Sequence, residues 1–242
     1  MDFLYKLLRL SLTLLSRGLM LTVLMPAVCC VKAWTADKLG DSTARRDGRL
    51  SMDFRRHTDL YGIIAMLVFG FGWSREMNLD VAHLKNMKRD ITLISLAAPV
   101  TYFMLYVLLH NSAALIFGIS ESSYILACLY VILRKAGTSC LYFGIIALLP
   151  IPPLDGFHIF YQFSWARFRR WYFARYQKIN YWSSYILLGI FMLDSITDGE
   201  FSLLRLLADF WRLGLDKLIF FSVDFTRIPS GILKRIFDFY WL

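Results

Sequence analysis

Charge is scarce in this 242-residue chain. Asp, Glu, Lys and Arg make up only 19% of it, against 57% hydrophobic residues, and the mean hydropathy is +0.51. A chain this apolar has more hydrophobic surface than one soluble core can hide, so the bilayer is its expected solvent. Acid is scarcer than base, 18 residues against 27, for a net charge of +9. The basic residues sit beside apolar runs, which points to the cytoplasmic loops of a membrane protein rather than to nucleic acid. Cysteine is also sparse. Four in the whole chain, two of them adjacent as Cys29 and Cys30, make no disulfide framework. The absence of any CxxC pair excludes a thiolate zinc site of the usual spacing. Six prolines and 14 glycines exclude a low-complexity chain.

What is present is a series of apolar runs separated by basic loops. Residues 1–10 (MDFLYKLLRL) alternate apolar and basic side chains, as a helix lying in the interface does. A run from Leu12 to Val31 is long enough to span, with Arg17 inside it. Its flanks make a poor signal-peptide cleavage site, so a retained helix is expected. Residues 32–59 are polar and basic. The next run, LYGIIAMLVFGFGW, is only about 14 residues where a crossing needs about 20, and cations flank it on both sides. Such a segment re-enters on the side it left, and its non-helical backbone must be buried in protein or line a wet cavity. Spans follow at Ile91–Leu109 and Tyr124–Leu149, with a Lys- and Arg-free stretch, HNSAALIFGISESS, expected outside between them. Tyr181–Ile196 is a marginal last span. WARFRRWYFARYQK is basic, aromatic and expected on the cytoplasmic side.

The tail carries two amphipathic segments. In the first, Arg205, Asp209, Arg212 and Asp216 form one charged stripe, with Leu206, Leu207, Phe210 and Trp211 on other faces. The second places Ile232, Leu233, Ile236 and Phe237 on one side. Both are expected to lie on the membrane or cap the bundle, with partner docking as the alternative. The expected division is a transmembrane core over residues 1–196 and amphipathic helices over 197–242.

Three stretches together resemble one family. Residues 33–62 (AWTADKLGDSTARRDGRLSMDFRRHTDLYG) carry GDxTA and GRL words and an HxD. Residues 70–101 open with GFGW, and residues 148–156 read LLPIPPLDG. In this order and register they are similar to the compact bacterial branch of the site-2 proteases, intramembrane zinc metalloproteases. The resemblance covers residues 15–195. It implies an all-α polytopic membrane protein with a site-2 protease-like core, a re-entrant element and C-terminal amphipathic helices, in a bacterial cell (inner) membrane.

The same resemblance makes the departures informative. In that family the first catalytic helix ends in HExxH, directly before the AW that opens the first stretch. There two His hold the metal and the Glu takes a proton from its bound water. Here Val28 stands for the first His, Cys29 for the Glu and Lys32 for the second His. Asp155 is the one remaining ligand of the family pattern, inside a motif of Pro150, Pro152, Pro153, Asp155 and Gly156. Ala147 replaces the Asn before that motif, Ala98 and Tyr102 replace the Gly and Asn of a GPxxN word, and Phe54, Leu60 and Glu76 replace prolines. These losses imply a pseudoprotease: no catalytic residue, no zinc, and a scaffold that binds or stabilises a membrane protein or a transmembrane segment in the lipid bilayer. Two alternatives stand beside it. One is an active intramembrane zinc metalloprotease with ligands drawn from Cys29, Cys30, Asp155 and His158, the other a lipid-handling membrane protein. Asp155 is expected to cap the helix that starts at Gly156. It is also expected to meet Lys32, the ammonium then bridging the two helices where a metal would sit. His57, outside the zinc ligands, is expected as a loop or headgroup contact.

Overall fold

The computed structural model describes residues 2–119, 123–196 and 203–219. Among the described residues every regular element is helical, with one isolated antiparallel bridge, Thr58 to Ser74, and no strand. The second amphipathic segment, with Ile232 and Phe237, lies outside the described residues.

The chain opens as one rod. Helix α1 (Asp2–Leu19) passes through a π-helical turn, Met20–Leu24, into α2 (Met25–Leu39). The turn sits where it must: Pro26 has no N–H and its ring would collide with the carbonyl four residues back, so the helix widens just before it. Residues 2–10 are therefore the opening turns of the same rod and are followed by no break. Gly40, at φ +116°, ends α2 with its N–H bonded back to Ala36 and Asp37.

Two four-residue helices, α3 (Thr43–Arg46) and α4 (Phe54–His57), lead to α5 (Leu60–Phe69). Asp59 caps the start of α5 by accepting from the N–H groups of Tyr61 and Gly62. Ten residues rise only about 15 Å, too little to cross a bilayer. The chain then turns at Gly70 and comes back beside its own entry, where Arg75 N–H donates to the His57 carbonyl at 2.7 Å. A Cβ on Gly72 would sit 2.2 Å from the Gly62 carbonyl oxygen, so the returning backbone lies directly on the helix. Arg17 closes the C-terminal end of α5 by donating to the carbonyls of Leu67 and Val68. The short apolar run is thus a re-entrant element.

Helices α6 (Met87–Ile119) and α7 (Tyr124–Leu148) form the centre of the bundle. Gly137 and Gly144 let them approach closely: a Cβ at Gly144 would stand 2.7 Å from the Phe103 ring. Helix α6 runs ten residues beyond the expected end at Leu109. The stretch expected outside continues the helix because Ala113, together with Leu12, Ala127, Tyr130 and Val131, forms a buried cluster between α1, α6 and α7.

An elbow leads from α7 to α8 (Asp155–Phe163) and α9 (Ala166–Ala174), followed by α10 (Tyr176–Ile196) and α11 (Leu203–Leu215). Among the described residues three helices are long and apolar enough to cross a membrane, at Lys6–Leu39, Met87–Ile116 and Tyr124–Leu148. The marginal fourth run is part of α10, whose first turns carry Gln177, Lys178 and Asn180. Helix α11 caps the bundle: Ala208 is fully buried in the main core, Trp211 stacks on Phe103 at 4.9 Å, and the Tyr106 hydroxyl donates to Asp216 at 2.5 Å.

Candidate functional site

Helix α2 carries Val28, Cys29 and Lys32 on a face turned into the bundle, because Met25 and Val28, one turn apart, anchor it in the main core at 1% exposure each. Opposite stands the proline elbow. Pro150, Pro152 and Pro153 stiffen the chain leaving α7, and Gly156 lets α8 fold back across its end. An added Cβ at Gly156 would lie 2.1 Å from the Leu148 carbonyl oxygen, so no larger residue fits. This fold-back aims the Asp155 carboxylate at α2, where it accepts a hydrogen bond from the Lys32 ammonium. The side chains keep only 22% and 14% of their exposure. Asp155 does not cap α8 as expected. The cap position is Leu154, without a side-chain bond, and the carboxylate is engaged by Lys32 instead.

Three neighbours complete the site. The Cys29 thiol lies at a hydrogen bond's reach of Ser74, with Lys32, Arg49 and Asp155 as charged neighbours. Tyr102, from α6, faces Cys29 and Asp155 and stacks on Phe143 at 5.7 Å. Arg49, 7% exposed, ties the loop behind the site by donating to the carbonyls of Arg75 at 2.9 Å and Glu76 at 2.6 Å.

This donor set does not fit a divalent metal. Val28 has no lone pair, and Lys32 presents a cation where a ligand would stand. The rescue set of Cys29, Cys30, Asp155 and His158 does not converge either: among the described residues no three His, Cys, Asp or Glu side chains are placed to hold an ion. His158 is exposed on α8, although it shares the electrostatic surroundings of Asp155 and Lys32.

Comparison with known proteins gives the scaffold its family. Residues 18–191 match the model of peptidase family M50. The chain belongs to peptidase family M50. It is also 34% identical over 139 residues to the "Putative zinc metalloprotease YwhC" of Bacillus subtilis (strain 168), an alignment covering 52% of this chain and 59% of that protein. The chain thus spans less than two thirds of that relative's length. No solved structure matches it.

Several motif words of this M50 protein are packed into the fold. Asp41 is fully buried and accepts from the N–H groups of Thr43 and Asp80, both at 2.9 Å, which ties the GDxTA turn to the stretch before α6. Ala98 and Tyr102 are buried in α6. His57 makes a contact within its own loop, the first of the two expected alternatives, but a buried one. It is wholly buried, its Nε2–H donating to the Ser51 carbonyl at 2.7 Å while its buried Nδ1 has no partner. Burial holds its imidazole below the ordinary histidine value. The sequence reading missed Ser74 and Arg49 as neighbours of the site. Their only signal was position, Ser74 directly after the GFGW word and Arg49 inside the GRL word.

Proposed function

We propose that this M50 protein is a non-catalytic member of its family, an integral membrane pseudoprotease that binds or stabilises another membrane protein or its transmembrane segment. The observation that carries the reading is the Lys32–Asp155 contact. A metal site needs several lone pairs converging on one point. Here the helix and the elbow that would supply them are joined by an ammonium and a carboxylate, which neutralise each other without an ion. The place of the general base holds no carboxylate: Cys29 occupies it, half-buried beside Ser74. No zinc is part of the proposed state.

The described helices around that contact pack together, and this supports a binding role. The re-entrant α5, the elbow, the three spanning helices and the capping α11 all pack into one bundle. A bundle with exposed apolar side chains such as Val100, Met104 and Leu108 along α6 offers a transmembrane segment the packing surfaces on which helices associate in lipid. The proposed location is a bacterial cell membrane, in keeping with the Bacillus subtilis relative.

The test is made in the membrane. With a photocrosslinking residue in place of Met104, the full chain is expected to trap membrane proteins at their uncut size. Shortened products that depend on this chain, and that disappear on metal chelation, would instead establish an active metalloprotease.

A further inference from the structure

We propose that the α8–α9 hairpin is a seat for anionic lipid headgroups on the basic side of the membrane. It stands apart from the Lys32–Asp155 site and does not depend on the catalytic state.

The sequence supplies an uncompensated charge. Arg167, Arg169, Arg170, Arg175 and Lys178 fall within one short stretch, and no Asp or Glu occurs from residue 156 to residue 193. Helix α11 is the contrast: there cations alternate with acids, and Arg212 pairs with Asp209 at 3.3 Å. An amphipathic surface helix that serves only solvation has no need to exclude acid over so long a run.

The structure holds that charge in place. Aromatic rings zip α8 to α9: Phe157 lies 4.7 Å from Tyr172, Phe160 meets Phe168 edge-on at 5.5 Å, and Tyr161 meets Tyr172 at 5.6 Å. The Tyr172 hydroxyl donates to Asn180 at 2.8 Å and so fixes the hairpin to α10. With the inner rings engaged, Phe163, Trp165 and Phe173 point outward at 70%, 84% and 78% exposure. Arg167, Arg170 and Arg175 are exposed on the same hairpin, and Lys178 is exposed just beyond it in the first turn of α10. Between Arg175 and Lys178 the surface forms a shallow depression of about 470 Å³, also lined by Phe173 and Tyr176.

Position decides what covers it. The hairpin follows directly on the spanning helix α7 and opens at the elbow, so it lies at the level where the bilayer core gives way to headgroups. The basic segment between α2 and α6 leaves the bundle at the same end, as the Lys32–Asp155 contact shows. Outward Trp and Phe with Arg between them match a surface of phosphate over acyl chain. Clustered cations beside a membrane span attract anionic lipid. A nucleic acid or an acidic protein would use the charge and leave Phe163 and Phe173 in water.

The experiment uses the full chain in phosphatidylcholine bilayers that hold a trace of dansyl-labelled phosphatidylglycerol, or of dansyl-labelled phosphatidylcholine as control. Excitation transfer from the protein's tryptophans reports which lipid gathers around it. Transfer to the phosphatidylglycerol probe is expected to exceed the control several-fold at low salt and to converge on it at molar salt. The R167Q/R170Q/R175Q variant is expected to lose the preference and the R167K/R170K/R175K variant to keep it. Equal transfer to both probes in the wild type would overturn the proposal. So would a preference that persists in the Gln variant, or in molar salt, or capture of an RNA or acidic peptide without any lipid preference. The salt comparison on the wild type keeps the proposal open to refutation even where a variant fails to fold, because a preference absent at low salt overturns it.

Discussion

Lys32 of α2 and Asp155 at the start of α8, 123 residues apart in sequence, form one hydrogen-bonded ion pair in the heart of the M50 scaffold. Neither group is tolerable alone at this depth. A lone ammonium or carboxylate among apolar helices costs several kcal/mol, and each here is the other's compensation. The pair is accordingly worth most when one half is removed.

That asymmetry gives the first prediction. Lys32→Met leaves a buried carboxylate unpaired and is expected to cost about 3 kcal/mol, seen as a lowered thermal midpoint in detergent. Lys32→Met combined with Asp155→Leu is expected to recover most of the loss, because the charge and its partner leave together. A single variant as stable as the wild type would show that the contact does not hold the helices.

A second prediction concerns the elbow. Gly156→Ala puts a methyl group 2.1 Å from the Leu148 carbonyl oxygen, and backbone cannot step aside as a flexible side chain does. The expected cost is about 1–3 kcal/mol. Asp155 is then aimed away from α2, so the loss in Gly156→Ala is expected to be smaller when Lys32→Met is already present. Thermal unfolding of the two single variants and the double variant measures this coupling.

The family words and the elbow were legible in the sequence because proline and glycine act through local sterics. PIPPLDG forces a stiff turn and a close approach whatever surrounds it. The re-entrant run was legible from length alone, since ten to fourteen apolar residues cannot cross. The far end of α6 was not. HNSAALIFGI lacks cations, which bears on the side it faces and not on whether it is helical, and Ala113 and Ala114 are buried by packing that only the fold supplies. His57 was illegible for the same reason: a histidine in a basic loop looks solvated until the loop closes over it. The role of Asp155 also turned on tertiary structure, because a helix cap and an ion pair use the same carboxylate and only the position of Lys32 chooses between them.

His57 yields a pH prediction. The folded protein holds this imidazole neutral below its usual value near 6.5, whereas the unfolded chain takes up a proton there. Protons therefore favour the unfolded state. The contribution is fully present above about pH 6.5 and is lost as pH falls toward the lowered folded value. Thermal midpoints measured from neutral to mildly acid pH are expected to decline through this window. His57→Gln, which keeps a donor for the Ser51 carbonyl, is expected to flatten the decline.

Arg17 carries a fourth prediction. It closes the C-terminal end of α5, where the last carbonyls have no partner within the helix. Arg17→Met is expected to cost about 1–2 kcal/mol, given a charge-assisted bond at a helix C-terminus. Hydrogen exchange is expected to rise most at residues 66–72, with α7 unaffected. Uniform exchange across the bundle would assign Arg17 a different role.

The central claim is that this M50 scaffold has exchanged a metal for an ion pair, and elemental analysis of the purified full chain tests it most directly. The expected result is essentially no zinc in the wild type, and about one zinc per chain once Val28→His, Cys29→Glu and Lys32→His restore the family's ligands and base beside Asp155. One zinc per wild-type chain, lost on Asp155→Ala, would contradict the account.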